Sequence, residues 1–326
     1  MKVLYLSVFE EEEIDLEEGL KEGIEIERLP PDEKEKAVES AEEYDAIIGA
    51  RIPREFLKKA ENLDYFIIPF AGIPPQDKDK LKDFPDLTVV NSHFNSQFVA
   101  EHAWTLLLAS VKNLIPIHEK LKEGDWTPRY EHRWSRRLID QTLLILGYGE
   151  IGRALGKIGK SFSMDVKAVK RTPEEADVID EIGTEEKLDE FLPEADFIIS
   201  TLPETENTKG YLGEEEFDLM KEGVHLVNVG RGPVIDEEAL YNALKSGKLG
   251  GVGIDVWWNY PPDEESRSDT FPSNYPLNEF DNVIFSPHRG SHVRDRERYR
   301  INDLQDILNS LKEGEEVNVV DIDREY

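Results

Sequence analysis

The chain has 326 residues, no cysteine, and 70 acidic against 39 basic residues, for a formal charge of −31 at pH 7. That length exceeds what one hydrophobic core usually fills, so two domains are expected, with a cleft between them as the natural place for a ligand. The absence of cysteine excludes disulfides, thiolate metal sites and a cysteine nucleophile, and the negative field argues against nucleic acid and anionic lipid surfaces as partners.

The acids fall largely in runs, at residues 10–13, at Glu174 and Glu175, and at 263–265. These read as solvated helix faces and loops, or as adaptation to high salt, which the abundant lysine fits poorly. The amino-terminal residues 1–6 enter a strand pattern without the apolar core and cleavage site of a secretory signal. The longest apolar stretches, such as 142–146 and 196–202, fall far short of the roughly 20 residues of a membrane-spanning helix. A cytoplasmic protein with no membrane partner is expected.

Strand candidates at 3–8, 24–29, 46–49, 65–70 and 87–91 alternate with polar segments of helical period, the signature of a parallel sheet with crossover helices. A long helical pattern over 96–122 places Val99, Ala103, Leu106, Leu107, Ser110, Val111 and Leu114 on one stripe, with Pro116 expected to kink or divide it. A second α/β series begins at Gln141, with strands expected at 142–146, 165–169, 197–202, 225–229, 251–256 and 282–286. A helical stretch over 303–311 and a short apolar run at 317–320 close the chain, and this tail is expected to return to the first domain to bury its apolar face.

The most specific local signal is Gly147-Tyr148-Gly149-Glu150-Ile151-Gly152, between the apolar strand 142–146 and a helical run over 153–162. In that context it reads as a dinucleotide fingerprint. Gly147 makes the tight turn, Gly149 lets backbone approach a pyrophosphate, Gly152 lets helix pack on strand, and the helix N-terminus at Glu150 and Ile151 receives the phosphates. An NAD-selective protein usually carries an acid about 20 residues farther on. This chain has Val169-Lys170-Arg171-Thr172-Pro173 instead. Lys170, Arg171 and Thr172 suit the 2′-phosphate of NADP, so NADP is the expected cofactor and NAD the second choice.

Three later strand ends carry polar groups to the edge where doubly wound sheets bind ligands. They are Val227-Asn228-Val229-Gly230-Arg231-Gly232, the run 251–256 with Asp255, and Ser286-Pro287-His288-Arg289-Gly290. With these, with Phe70-Ala71-Gly72-Ile73, Val99-Ala100-Glu101-His102 and Asn318-Val319-Val320-Asp321, the sequence resembles the D-isomer-specific 2-hydroxyacid dehydrogenase family over nearly its whole length.

The resemblance implies an α/β protein of two doubly wound parallel-sheet domains, a Rossmann-type cofactor domain (98–291) inserted in a discontinuous flavodoxin-like substrate domain (1–97 and 292–326), active as a homodimer. It implies that Arg231 binds the substrate carboxylate and polarises the carbonyl, that His288 is the proton donor and acceptor, and that Ala71, Gly72 and Ile73 receive the carboxylate on backbone amides. It further implies that Thr201, Leu202, Pro203, Val229, Asp255 and His288 line the cofactor, with Asp255 on the nicotinamide amide.

The family pattern breaks at one place. A glutamate normally stands five residues beyond the position of Asp255 and holds the histidine; here that slot is Tyr260. A tyrosine can orient His288 by a hydrogen bond but supplies no charge near pH 7. His288 should then titrate lower, and keto-acid reduction should fall off earlier as pH rises. Asp263, Glu264, Glu265 or Asp269 in the acidic loop 262–276 are the alternative partners, and Trp257 and Trp258 are read as one pocket wall and one core residue. The function expected is hydride transfer between NAD(P)H and a small 2-keto or 2-hydroxy acid, chiefly as a 2-keto acid reductase. A formate or phosphite oxidiser is the next enzyme reading. A dinucleotide-binding regulator with weak or no catalysis is the alternative, hinted at only by the missing glutamate.

Overall fold

The structure, a computed structural model, describes residues 1–6, 16–30, 33–131, 135–172 and 178–322. The acidic runs at 10–13 and at Glu174 and Glu175, Pro173, and the last two positions of the first expected strand lie outside the described residues. The chain divides into two compact units, one made of Met1–Asn95 with Val293–Tyr326 and the other of Ser96–His292. Among the described residues no helix is long and apolar enough to cross a membrane.

The first unit runs β1 (Lys2–Leu6), β2 (Glu25–Leu29), α1 (Lys34–Ala37), β3 (Ala46–Ile48), α2 (Arg54–Lys59), β4 (Tyr65–Ile68), α3 (Pro75–Leu81) and β5 (Thr88–Asn91). The strands pair in parallel in the order β2-β1-β3-β4-β5, a flavodoxin-like winding. Both sheet faces are covered, which is why β3 and β4 read as unbroken apolar runs rather than alternating ones. Leu4, Leu6, Ile47 and Phe66 pack on one side with Phe56 and Leu57 of α2. Val3, Ile48 and Ile67 pack on the other with Ile301, Leu304, Ile307 and Leu308 of the carboxyl-terminal helix Arg296–Lys312. Beyond that helix Val319 bridges antiparallel to Val90, and Val320 N–H donates to Val89 O at 2.8 Å, so the tail shields the free edge of β5.

The second unit opens with α4 (Ser96–Val111) and α5 (Leu114–Lys122), then runs β6 (Thr142–Leu146), α6 (Glu150–Ser161), β7 (Asp165–Val169), β8 (Glu181–Gly183), α7 (Leu188–Phe191) and β9 (Phe197–Ser200). It continues with α8 (Glu214–Leu219), β10 (Val224–Asn228), α9 (Glu237–Ser246), β11 (Leu249–Ile254) and β12 (Val283–Phe285). All seven strands are parallel, in the order β12-β11-β10-β9-β6-β7-β8. The winding reverses between β6 and β9, the switch point outside whose carboxyl ends doubly wound sheets bind ligands.

Two local expectations are corrected. The sheet has seven strands rather than six, because β8 is only Glu-Ile-Gly, too short to show a period. The long helix divides at Asn113, whose φ of 51° is left-handed, and not at Pro116. Pro116 sits in the first turn of α5, where its missing N–H costs nothing. Leu114, placed on the buried stripe by periodicity, is consequently exposed, while Val99, Ala103, Leu106, Leu107, Ser110 and Val111 are buried.

Candidate active site

The glycine turn after β6 is shaped by three different demands. Gly147 has a φ of 92°, a left-handed conformation that favours glycine, and the Thr201 hydroxyl donates to its carbonyl at 2.7 Å. A Cβ on Gly152 would stand 2.3 Å from the Gly147 carbonyl oxygen, so this glycine is what lets α6 start against the turn. A Cβ on Gly149 would meet nothing within 4 Å. Gly149 is therefore not a packing glycine; it leaves open space in front of a helix N-terminus that no side chain caps. The first-turn N–H groups at Glu150, Ile151 and Gly152 lack intrahelical partners by construction, which is the arrangement that receives a phosphate. Leu202 lies against both glycine strand ends: its backbone would meet a Cβ on Gly147 at 3.3 Å and one on Gly230 at 2.3 Å. Pro203, which follows it, accepts the Thr208 hydroxyl on its carbonyl at 2.6 Å, fixing the turn that leaves β9.

The end of β7 is basic. Half-buried Lys170 follows Val169, its amide donating to Gly183 O at 2.9 Å, and Arg171 and Thr172 are exposed beside it. Burial pushes the Lys170 ammonium below its ordinary pKa, and the nearby Arg153 guanidinium pushes the same way against the opposing Glu150. Arg153, on the first turn of α6, lies over the Tyr148 ring at 5.4 Å. Three cations thus share this corner in a chain that is otherwise strongly acidic.

Arg231 leaves the sheet after β10. The Asn228 side chain locks this turn, donating to the Arg231 carbonyl at 2.9 Å and accepting Gly230 N–H at 3.1 Å. Gly232 passes so close to Trp257 that a Cβ would lie 2.4 Å from its carbonyl. Val229 is buried between these groups, its amide on Ser200 O. The Arg231 guanidinium donates to Gly230 O at 2.7 Å, and no carboxylate among the described residues pairs with it.

Asp255, 2% exposed, follows β11 and is enclosed by donors. Its Oδ1 accepts the Ser286 hydroxyl at 2.5 Å and Arg289 N–H at 2.7 Å, and its Oδ2 accepts Gly290 N–H at 2.9 Å. His102 Nε2 of α4 lies 2.8 Å from Ser286 Oγ and 3.3 Å from Asp255 Oδ1. Burial alone would raise the Asp255 pKa, but these hydrogen bonds outweigh it and hold the carboxyl below its usual range. Asp255 thereby grips the loop around His288 on both flanks. His288 itself has a φ of 56°, left-handed for a residue with a Cβ, and is exposed.

The Tyr260 hydroxyl lies 3.0 Å from His288 Nδ1 and accepts Trp257 N–H at 3.1 Å. Partial burial lowers the His288 pKa below the ordinary imidazole value; Asp255 opposes the shift, and Arg231 and His292 add to it. Arg231 also bears on Tyr260, so all three side chains lie within one electrostatic neighbourhood. The loop acids do not substitute for the missing glutamate. Asp263 accepts Ser266 N–H at 2.9 Å, Glu264 pairs with Arg267 at 2.5 Å, and no loop carboxylate figures among the charges acting on His288. Trp257 stacks on Phe285 at 4.8 Å and donates to Ser286 O as the core residue of the pair, while half-buried Trp258 donates to Ile235 O at the edge of the same cluster.

The profile of the D-isomer specific 2-hydroxyacid dehydrogenase NAD binding domain matches residues 104–290. Glyoxylate/hydroxypyruvate reductase B of Yersinia pestis (strain Pestoides F) is 32% identical over 268 residues, covering 81% of this chain and 79% of that protein. The chain belongs to the D-isomer-specific 2-hydroxyacid dehydrogenase family. This 2-hydroxyacid dehydrogenase is an oxidoreductase that moves hydride between NAD(P)H and 2-keto or 2-hydroxy acids. D-3-phosphoglycerate dehydrogenase of Archaeoglobus fulgidus is 31% identical over 321 residues, 96% of this chain but 58% of that longer protein. Among solved structures, D-2-hydroxyisocaproate dehydrogenase superposes with a TM-score of 0.72 at 25% identity, covering 98% of this chain and 99% of that one. The fold is also that of a Xanthobacter autotrophicus Py2 family member in complex with NADPH and MES, with a TM-score of 0.78 at 24% identity and 99% of each chain covered.

In this dehydrogenase the second unit alone gathers the glycine turn, Lys170, Arg171, Thr172, Thr201, Leu202, Pro203, Val229, Arg231, Asp255, Tyr260 and His288. Ala71, Gly72 and Ile73 follow β4 in the first unit, where Gly72 has a φ of 87° and so a real need for glycine. Sequence reasoning did not single out Arg153, and it quoted His102 and Ser286 within their segments without giving either a role. Arg153 was legible as the residue after the third glycine; the contact between His102 and Ser286 spans 184 positions and has no local signal.

Proposed function

We propose that this chain is a 2-keto acid reductase that takes NADPH in preference to NADH, acts on a small substrate such as glyoxylate or hydroxypyruvate, and works as a cytoplasmic homodimer. The observation that carries this reading is an exposed imidazole held from behind by Tyr260, with the carboxylate-free Arg231 guanidinium in the same neighbourhood. When bound, the reduced nicotinamide supplies the hydride. Everything else falls to the chain's own side chains. Arg231 receives the substrate carboxylate and steadies negative charge growing on the carbonyl oxygen, and His288 Nε2 delivers the proton to that oxygen.

The preference for NADPH rests on Lys170 and Arg171 at a strand end without an acid, with Arg153 of α6 acting on Lys170. Asp255 is read first as the anchor of the His288 loop and second as a nicotinamide contact, because four donors of the chain already occupy it. The homodimer rests on α5, which buries no residue of its own and leaves Leu114, Ile115, Ile117 and Leu121 exposed. A panel of 2-keto acids assayed with NADPH and NADH tests the reading. Turnover of glyoxylate or hydroxypyruvate, faster with NADPH, supports it, whereas tight dinucleotide binding with no turnover of any acid favours the regulator.

A further inference from the structure

We propose that Tyr260 is the proton source behind His288: its phenol passes a proton to Nδ1 while Nε2–H passes one to the substrate oxygen, so that reduction proceeds from the neutral imidazole. This rests on the reductase reading above. The geometry permits the proton arrangement that the relay needs. Trp257 N–H can only donate, so one lone pair of the Tyr260 oxygen is taken at 3.1 Å. His288 Nδ1 lies 3.0 Å from the same oxygen. With a neutral imidazole, the phenolic hydrogen is therefore free to point at the Nδ1 lone pair, which leaves the ring proton on Nε2, the nitrogen that faces the substrate. A carboxylate in the Tyr260 slot would do the reverse, because it accepts only and would draw the ring proton to Nδ1.

The balance of the step closes. The C2 carbon of the keto acid gains hydride and its oxygen gains the Nε2 hydrogen. The Nε2–H bond breaks, a Nδ1–H bond forms from the phenolic hydrogen, and the Tyr260 O–H bond breaks. Histidine ends as the other neutral tautomer, never charged, and tyrosine ends as phenolate, which solvent reprotonates on its exposed side. A neutral imidazole acting alone would have to become imidazolate, which is prohibitive. A phenolate, by contrast, is a far weaker base than the alkoxide being quenched, so the relay runs downhill. Three groups stabilise the phenolate: Trp257 N–H, the new Nδ1–H and the Arg231 cation.

The surrounding charges favour this route over an imidazolium. Partial burial, Arg231 and His292 pull the His288 pKa below the ordinary imidazole value, with Asp255 the opposing charge. Burial keeps the Tyr260 phenol protonated, Asp255 helping and Trp257 N–H and Arg231 opposing. A fall in reduction rate early on the alkaline side would follow only if imidazolium were the sole donor. With the phenol as the source, the alkaline limb belongs to Tyr260.

The test is the pH dependence of kcat/KM for 2-keto acid reduction by the full chain, wild type against Tyr260→Phe. The expected wild-type profile is level through neutrality and falls only where the phenol ionises. The variant should approach it within a few-fold below its imidazole pKa and lose about tenfold per pH unit above it. Superimposable alkaline limbs in the two proteins overturn the relay. Should the variant not fold, wild-type chain carrying 3-fluorotyrosine decides instead: its more acidic phenol must draw the alkaline limb downward, and an unmoved limb overturns the relay. A wild type that reduces no 2-keto acid at any pH sinks the reductase reading and the relay with it.

Discussion

Ser286 donates its hydroxyl to Oδ1 of Asp255 at 2.5 Å, tying the end of β12 to the end of β11. The same buried carboxylate holds Arg289 and Gly290 by their amides, so it fixes both sides of the His288 loop and supports that residue's left-handed backbone. Asp255→Asn turns one acceptor into a donor facing other donors. Leaving buried hydrogen-bonding groups unmatched costs about 1–3 kcal/mol each. The variant should lose about 3 kcal/mol in urea denaturation and about a hundredfold in kcat, with dinucleotide affinity changed less. A loss confined to dinucleotide affinity would mean that Asp255 acts on the cofactor and not on the loop.

Two glycines of one motif should fail differently. A Cβ on Gly149 meets open space and its φ of −88° suits any residue, so Gly149→Ala should fold with stability close to wild type while dinucleotide affinity drops about tenfold or more. A Cβ on Gly152 lands 2.3 Å from the Gly147 carbonyl, so Gly152→Ala should cost about 3 kcal/mol of folding stability before any ligand is added. Denaturation midpoints and fluorescence titration with NADPH separate the two effects. Equal destabilisation by both variants would contradict the assignment of Gly149 to ligand approach.

The sequence reveals most of this architecture because its main signals are local. Apolar runs buried on both faces mark the parallel strands, and a strand, three spaced glycines and a helix start mark the cofactor turn within a dozen residues. What it hides is either short or remote. The three residues of β8 carry no period, and the long helix divides at Asn113, a residue type that tolerates a left-handed φ but is a weaker signal than Pro116, which offered a plausible but wrong breakpoint. At the site, the strand-end residues Arg231, Asp255 and His288 are readable from their positions. The bonds that define their work are not: Tyr260 meets His288 across 28 positions and His102 meets Ser286 across 184, and no spacing rule encodes such contacts.

The basic corner predicts cofactor discrimination. Lys170 and Arg171 stand where a ribose-binding acid would be, with Arg153 of α6 acting on Lys170, and the lowered Lys170 pKa reflects burial together with that neighbouring cation. Replacing Lys170 and Arg171 by alanine should raise KM for NADPH about tenfold per residue, as expected for charge-assisted bonds to a phosphate, and leave KM for NADH nearly unchanged. The NADPH effect should shrink as salt is added. Unchanged discrimination would remove these residues from cofactor choice.

The exposed surface of α5 predicts an assembly. The helix buries none of its own residues, and beyond it Trp126 is 61% and Tyr130 75% exposed. Because no core contact is lost, Ile115→Glu with Leu121→Glu should fold normally yet sediment as a single chain, while the wild type sediments at twice the chain mass. A wild type that is monomeric at tens of micromolar, a concentration at which an interface of ordinary size is occupied, would assign this surface to something other than a second copy.

Acid stability should report on His225, which lies 5% exposed on β10 with Nδ1 2.8 Å from the Ser110 hydroxyl of α4. Burial, with Arg136 adding to it, pushes this imidazole down to about 4. An unfolded chain takes up that proton near pH 6.5, so between pH 6.5 and 4 the unfolded state holds more protons than the native one and stability must fall as pH falls. Above pH 6.5 both states are neutral and the residue contributes no slope. The full loss at and below pH 4 is about 3 kcal/mol, since each tenfold difference in proton affinity between the two states is worth about 1.4 kcal/mol. His225→Gln keeps a polar partner for Ser110 but cannot titrate, so its urea midpoint should decline less than wild type between pH 6.5 and 4. Parallel decline in the two proteins would place the acid sensitivity in the carboxylates and not in this histidine.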